Sequence, residues 1–223
     1  MLDVTSNNKP TSEIVNYFFR HESARIVSHL SSYFGTNHLE EAEDAVQEAL
    51  IKAMNTWPYR SVPKNPAAWI LTVARNKMID NLRHTSRIVN AEESALVDIR
   101  DESSGISEMT DVELDDYLKD DVLKMMFACC HPLLSVESQI ILTLRILCGL
   151  GNKKVARALL KTEEAVYKAH TRAKQRLKSL QINPEVPSRE IAQERMVVIL
   201  KILYLLFNEG YKSSSGDYLL NKD

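Results

Sequence analysis

A chain of 223 residues has room for one or two modest domains, each able to bury its own core. With 44% hydrophobic and 26% charged residues it has the balance of an ordinary soluble protein, and its apolar runs are too short or too interrupted for a membrane span or signal peptide. The net charge of −2 would count against a nucleic-acid binder only if charge were spread evenly, and it is segregated. Lys153, Lys154, Arg157, Lys161, Lys168, Arg172, Lys174, Arg176 and Lys178 face only Glu163 and Glu164 in residues 151–180, whereas 91–121 is strongly acidic. With 6 glycines, 7 prolines and no run alternating at period two, the expectation is an all-α protein.

Residues 1–11 read as a disordered lead-in. A first helix is expected over Ser12–Tyr33, with Ile14, Phe18, Ile26 and Leu30 near helical spacing. The next, Leu39–Trp57, has an apolar stripe of Ala42, Val46 (or Ala45), Ala49 and Ala53, extended by Leu50 and Trp57. Glu40, Glu41, Asp44, Glu48 and Lys52 fall outside that stripe, with Gln47 at its edge. Pro58 is expected to end this helix, leaving a loop to Pro66. Asn65 then caps a helix with Pro66 at its first position, running to about His84. Leu71, Ala74, Met78 and Leu82 are expected inward, and Thr72, Asn76, Asp80, Arg83 and Arg87 on a polar face. Trp69 falls in the apolar register, which favours a core role over base stacking.

Ser86–Asp116, rich in Glu, Asp and Ser, reads as a mobile linker. Helix resumes over Asp115–Cys130 and breaks at Pro132. Cys129–Cys130–His131 lacks metal-ligand spacing and reads as buried helix, so no metal or cofactor is expected. Three cysteines suit a reducing compartment, hence a cytoplasmic protein. Ser138–Cys148, a turn at Gly149–Gly151, Asn152–Leu160, and a basic helix capped by Thr162 and running to Leu180 have the layout of a helix-turn-helix. Ala156 is small enough for the helix crossing, and Val166 and Ala173 mark the buried face of the last helix. Leu160–Lys161 stands where such turns usually hold glycine, so a non-glycine residue there must take positive φ or the turn must differ. After Asn183, Pro184 and Pro187, a very apolar helix follows over Arg189–Asn208, with Gly210 as its cap. Lys212–Asp217 reads as a turn, and Tyr218–Leu220 as the start of a further element, so the chain is expected to be a fragment or a shortened form. No Ser/His/Asp set, histidine cluster or glycine-rich phosphate loop supports an enzyme.

The ordered set Glu43-Asp44-x-x-Gln47-Glu48, then Pro66, Trp69, Ala74 and Asn76, resembles the promoter-binding second region of the sigma-70 family in its short extracytoplasmic-function branch. The likeness spans about Tyr17–Arg87. It implies that Asp44, Gln47 and Glu48 dock on the β′ clamp of core RNA polymerase. It also implies that Lys64, Asn65, Thr72, Arg75, Asn76, Asp80 and Arg83 contact the non-template strand of the −10 element. Asn76 suits a base edge, while Lys64, Arg75, Lys77, Arg83 and Arg87 suit phosphates.

The run Thr162–Lys178 resembles the family's −35-reading helix. By that resemblance Lys153, Lys154, Thr162, Tyr167, Lys168, Thr171, Arg172 and Gln175 contact promoter DNA, and the module meets the β flap. The acidic linker would be a tether that also enters the polymerase cleft. Ile191–Tyr211 resembles the start of a helical, tetratricopeptide-like C-terminal extension.

The domains so expected are 12–87, a linker 88–116, 117–181 and 188–223. The partners are core polymerase and promoter DNA, with no membrane. The last helix, apolar around much of its circumference, should fold back on the chain or self-associate through Arg189–Asn208. The rival reading is a dimeric one-component helix-turn-helix regulator, which should shift palindromic duplex DNA unaided.

Overall fold

The computed structural model describes residues 11–89 and 110–211. The expected N-terminal lead-in, most of the expected linker and the turn and element after Tyr211 lie outside the described residues. Among the described residues there is helix and no strand, so the fold is all-α. The helices are α1 (Thr11–His21), α2 (Ser23–Phe34), α3 (Leu39–Arg60), α4 (Pro66–Val89), α5 (Asp111–Cys129), α6 (Val136–Leu142), α7 (Asn152–Ala158), α8 (Glu163–Leu180) and α9 (Arg189–Tyr211), with a 3-10 turn at Thr36–His38. The described residues fall into two compact units, one drawn from 11–30, 40–89 and 110–119, the other from 31–39 and 120–211.

The first unit is built around α3. Ala42, Ala45, Ala49 and Ala53 are fully buried, and their small side chains let neighbouring helices approach closely. Larger buried groups flank that strip, Ile14, Phe18, Ile26 and Leu30 before it, Leu71 and Met78 after it; Ala74 is buried too, while Leu82, also expected inward, is half-buried. Trp57 packs edge-on against Phe18 and Trp69, with centroids 6.4 and 5.4 Å apart, so Trp69 belongs to the core margin.

Several boundaries differ from expectation, among them the end of α4, which runs to Val89. The first helix breaks at Glu22, whose carbonyl accepts from the Arg25 and Ile26 amides and starts α2. Pro58 lies inside α3, in its last turn, and the stop comes at Ser61, which takes a left-handed φ of 65°. The helix after the linker begins at Asp111, four residues early. Thr110 and Glu113 form a capping box there, the Glu113 carboxylate accepting from the Thr110 amide at 2.8 Å and the Glu113 amide donating to Thr110 Oγ1 at 3.4 Å. Asp115, bonded to Lys119 and to Arg25 of α2, has its carboxyl held below the usual range by those two cations.

In the second unit Phe127, Cys130, Ile140, Ile141, Leu144, Val155, Ala156 and Val166 form a core closed by Ile199 and Ile202 of α9. The helix begun by α6 continues as a π turn over Thr143–Leu147, and Gly149 at φ 62° ends it. Burial raises the thiols of Cys130 and Cys148, the latter to about 11, so both behave as small core residues. Helix α9 runs through Gly210 to Tyr211, so Gly210 is in the last turn rather than capping it. One face of α9 folds back on the module, one of the two arrangements that its apolar character left open. Arg195 Nη1 donates to the Phe127 carbonyl at 2.9 Å, and Arg157 pairs with Glu209 at 2.5 Å. Val197, Leu200 and Tyr204 on its other face are exposed. No helix among the described residues is long and apolar enough to cross a membrane, and no group of three or more His, Cys, Asp or Glu is placed to hold a metal.

Candidate nucleic-acid and protein interfaces

The first unit presents two polar faces on adjoining helices. On α3, Asp44, Gln47 and Glu48 are all exposed, because the alanine strip holds the opposite side of the helix in the core. Glu48 is not an isolated anion: its Oε2 lies 2.8 Å from Lys77 Nζ on α4.

Helix α4 starts as the sequence predicts. Asn65 Oδ1 accepts from the Ala68 amide at 2.9 Å, and Pro66 needs no donor at the first position. That bond commits the Asn65 amide oxygen to the helix end. Lys64, Asn76, Asp80 and Arg83 are exposed, while Thr72 is half-buried and turns its hydroxyl to the Ala68 carbonyl at 2.8 Å.

Arg75 contradicts its expected role. It is 2% exposed, among the largest fully buried side chains, and cannot reach a phosphate. The spacing already carried the reason: 71, 75 and 78 follow i, i+4, i+7, so Arg75 shares the inward stripe of Leu71 and Met78. The side chain of Arg87 lies outside the described residues.

The second unit carries the basic helix. Asn152–Ala158 leads into a Schellman closure, in which the Lys161 amide donates to the Ala156 carbonyl at 2.8 Å and the Leu160 amide to Arg157 at 3.3 Å. Leu160 occupies the position usual for glycine, at φ 54°, and is 94% exposed. Of the two outcomes left open by the missing glycine, the positive φ is the one present. Thr162 Oγ1 then accepts from the Ala165 amide at 3.2 Å and caps α8.

Val166, Ala173 and Leu177 form the buried stripe of α8, and Ala156 lies buried at the crossing. Tyr167, Lys168, Arg172 and Gln175 project outward, as does Lys153 on α7; Lys154 and Thr171 are half-buried. Lys168 pairs with Glu164 at 2.6 Å, and Thr171 returns its hydroxyl to the Tyr167 carbonyl at 3.1 Å. His170 points to the interior side. Burial, then Arg145 and Lys174, push its imidazole down to about 4, so it is neutral near pH 7. Sequence reasoning did not single it out, although 166, 170, 173 and 177 follow i, i+4, i+7, i+11 and put it on the stripe of Val166, Ala173 and Leu177.

Part of the first unit is similar to a known family. Residues 18–88 match the family described as sigma-70 region 2. That stretch is similar to sigma-70 region 2. Region 2 is the part of sigma-70 proteins that binds core RNA polymerase and promoter DNA, and its match here takes in α2, α3 and nearly all of α4. The chain is also similar to an uncharacterized protein of Rhizobium meliloti (strain 1021), 38% identical over 188 residues. That match covers 84% of this chain and 43% of the relative, so the chain spans less than half the relative's length. No solved structure matches the chain significantly.

Proposed function

We infer that the protein is a sigma factor: it binds core RNA polymerase, selects promoters at −10 and −35, and helps open the duplex. It supplies contacts and no catalytic chemistry, and it acts in the cytoplasm, where its partners are. The region 2 match over residues 18–88 carries this reading. Two features of α3 and α4 support it. Exposed Asp44, Gln47 and Glu48 can meet a basic protein surface, where complementary charge sets association rate and orientation. Exposed Asn76 can both donate to and accept from a base edge, with Lys64 and Arg83 as cations for the phosphates.

The second unit supports −35 reading, because α8 turns Tyr167, Lys168, Arg172 and Gln175 outward in a form that fits a major groove. The order of the modules, with an acidic segment between them, fits the extracytoplasmic-function branch, and α9 fits the start of a helical C-terminal extension. Run-off transcription with purified core polymerase on a genomic promoter pool tests the reading. Discrete transcripts that require the protein are expected. A protein that shifts palindromic duplex DNA unaided and leaves core polymerase unchanged would instead be a dimeric regulator. Asp44→Lys is the cleanest docking probe, since Glu48 already has an internal partner. It should lose core-polymerase capture with helicity unchanged, and capture at normal strength would remove the docking assignment.

A further inference from the structure

The 2.8 Å ion pair between Lys77 Nζ and Glu48 Oε2 joins two surfaces that the sigma reading gives to different partners. Glu48 stands one turn from Asp44 on the outer face of α3, with 54% of its side chain exposed. Lys77 directly follows the exposed Asn76 on α4 and is 38% exposed. A pair this open is weak, because water and salt screen it and two long side chains must be held in one geometry. Either member can trade the other for an equivalent charge elsewhere. A carboxylate facing a basic protein surface, or an ammonium facing a phosphate, makes a charge-assisted bond of the same kind.

We propose that Glu48 holds Lys77 out of use in the free protein, and that docking of Glu48 on a basic partner releases Lys77 to a phosphate of single-stranded DNA. Breaking the pair costs once, whichever partner arrives first. Each partner therefore makes binding of the other easier, by no more than the pair is worth. Lys64 on the same domain is exposed from the outset, so Lys77 is an added contact that switches in rather than the whole site. The proposal takes the identity of the basic partner from the sigma reading, whereas the exchange is a property of the two side chains.

The test uses the full chain without polymerase and a labelled 20-residue oligo-dT, titrated over a range of salt. Glu48→Gln frees Lys77 at nearly constant side-chain size. Its oligonucleotide affinity should rise several-fold at low salt, and the slope of log K against log salt should steepen by about 0.7, the value for one more phosphate contact on a single strand. Lys77→Gln alone should bind like the unaltered chain, because Lys77 contributes little while held. The Glu48→Gln, Lys77→Gln double variant should return to the original slope.

Glu40→Gln makes the same charge change at another exposed position of α3. An equal gain there, or an equal gain in the double variant, would make the effect a general field and overturn the proposal. Failure of every variant to bind the oligonucleotide at low salt would overturn it too, since Lys77 would then meet no phosphate. None of these readouts involves polymerase. A failed run-off experiment would remove the sigma reading and leave the exchange standing, and the reverse outcome would remove only the exchange.

Discussion

Helices α4 and α8 both carry basic residues, yet they use their surfaces in opposite ways. Helix α4 is enclosed by its neighbours, burying Ala68, Ile70, Leu71, Ala74, Arg75, Met78 and Ile79 and leaving Asn76, Asp80, Arg83 and His84 exposed. Helix α8 is docked along a single stripe of Val166, Ala173 and Leu177, so Lys168, Arg172, Arg176 and Lys178 all face outward. A count of cations therefore overstates what α4 can offer DNA and describes α8 well. What decides the role of an arginine is how many sides of its helix are covered.

The sharpest way to break this contrast is to truncate one arginine on each helix. Arg75→Ala should lower unfolding stability by about 3 kcal/mol, since it empties a large buried site and strips partners from the groups around it. Arg172→Ala should change stability by less than about 0.5 kcal/mol, as an exposed substitution does. Urea unfolding followed by circular dichroism measures both, and equal midpoints would refute the burial of Arg75.

Lys168→Glu and Arg172→Glu sharpen the other half. Each should weaken promoter-duplex binding by about 1–3 kcal/mol with the unfolding midpoint unmoved. Lys168 should lie at the lower end, because it already pairs with Glu164. Fluorescence anisotropy on a −35 duplex gives the ranking, and normal binding by the double variant would show that the recognition surface lies elsewhere.

His170 tests the covered side of α8. Its folded-state pKa, about 4, lies below the ordinary histidine value of 6.5, so the unfolded chain binds more protons between those limits. Stability should therefore be fully present above pH 6.5 and fall as pH drops toward 4. The slope from this one group can approach about 1.4 kcal/mol per pH unit. Unfolding midpoints of His170→Asn against pH should lose part of that slope, and an unchanged profile would mean that the imidazole is open to solvent. The smallest effect belongs to the turn before α8. Leu160→Gly relieves a left-handed φ at a side chain that buries almost nothing, and should raise stability by roughly 0.5 kcal/mol. A lower thermal midpoint would show that the leucine contributes a contact.

Much of this contrast was legible in the residues. Asn65–Pro66 and Thr162 marked helix starts because a side-chain acceptor and a missing donor each have one cheap place to go. The absent glycine before α8 left two outcomes, a positive φ or a different turn, and the positive φ at Leu160 is the one found. What misled was residue type set against position. Arg75 was read as a phosphate ligand because it is an arginine, although its spacing put it with Leu71 and Met78. Pro58 was read as a stop, but a proline disturbs the turn before it rather than the residues after it, so the helix runs on to Arg60 and Ser61 provides the end. The capping box of Thr110 and Glu113 was hidden inside an acidic stretch whose composition suggested linker. Pairing across helices, as between Glu48 and Lys77, has no signature along the chain, because it depends on how two faces meet.

The seat of α9 bears on how the helix-turn-helix can be moved into other proteins. Ile199 and Ile202 complete the apolar cluster around Val155 and Ile141, and Glu209 takes up Arg157 of α7. A graft cut at Leu180 would carry all the outward-facing residues of α8 and still bring an open gap at its back. A chimera that is to keep the module intact must take the last helix to Tyr211 as part of the cargo, together with residues 31–39 of the same unit.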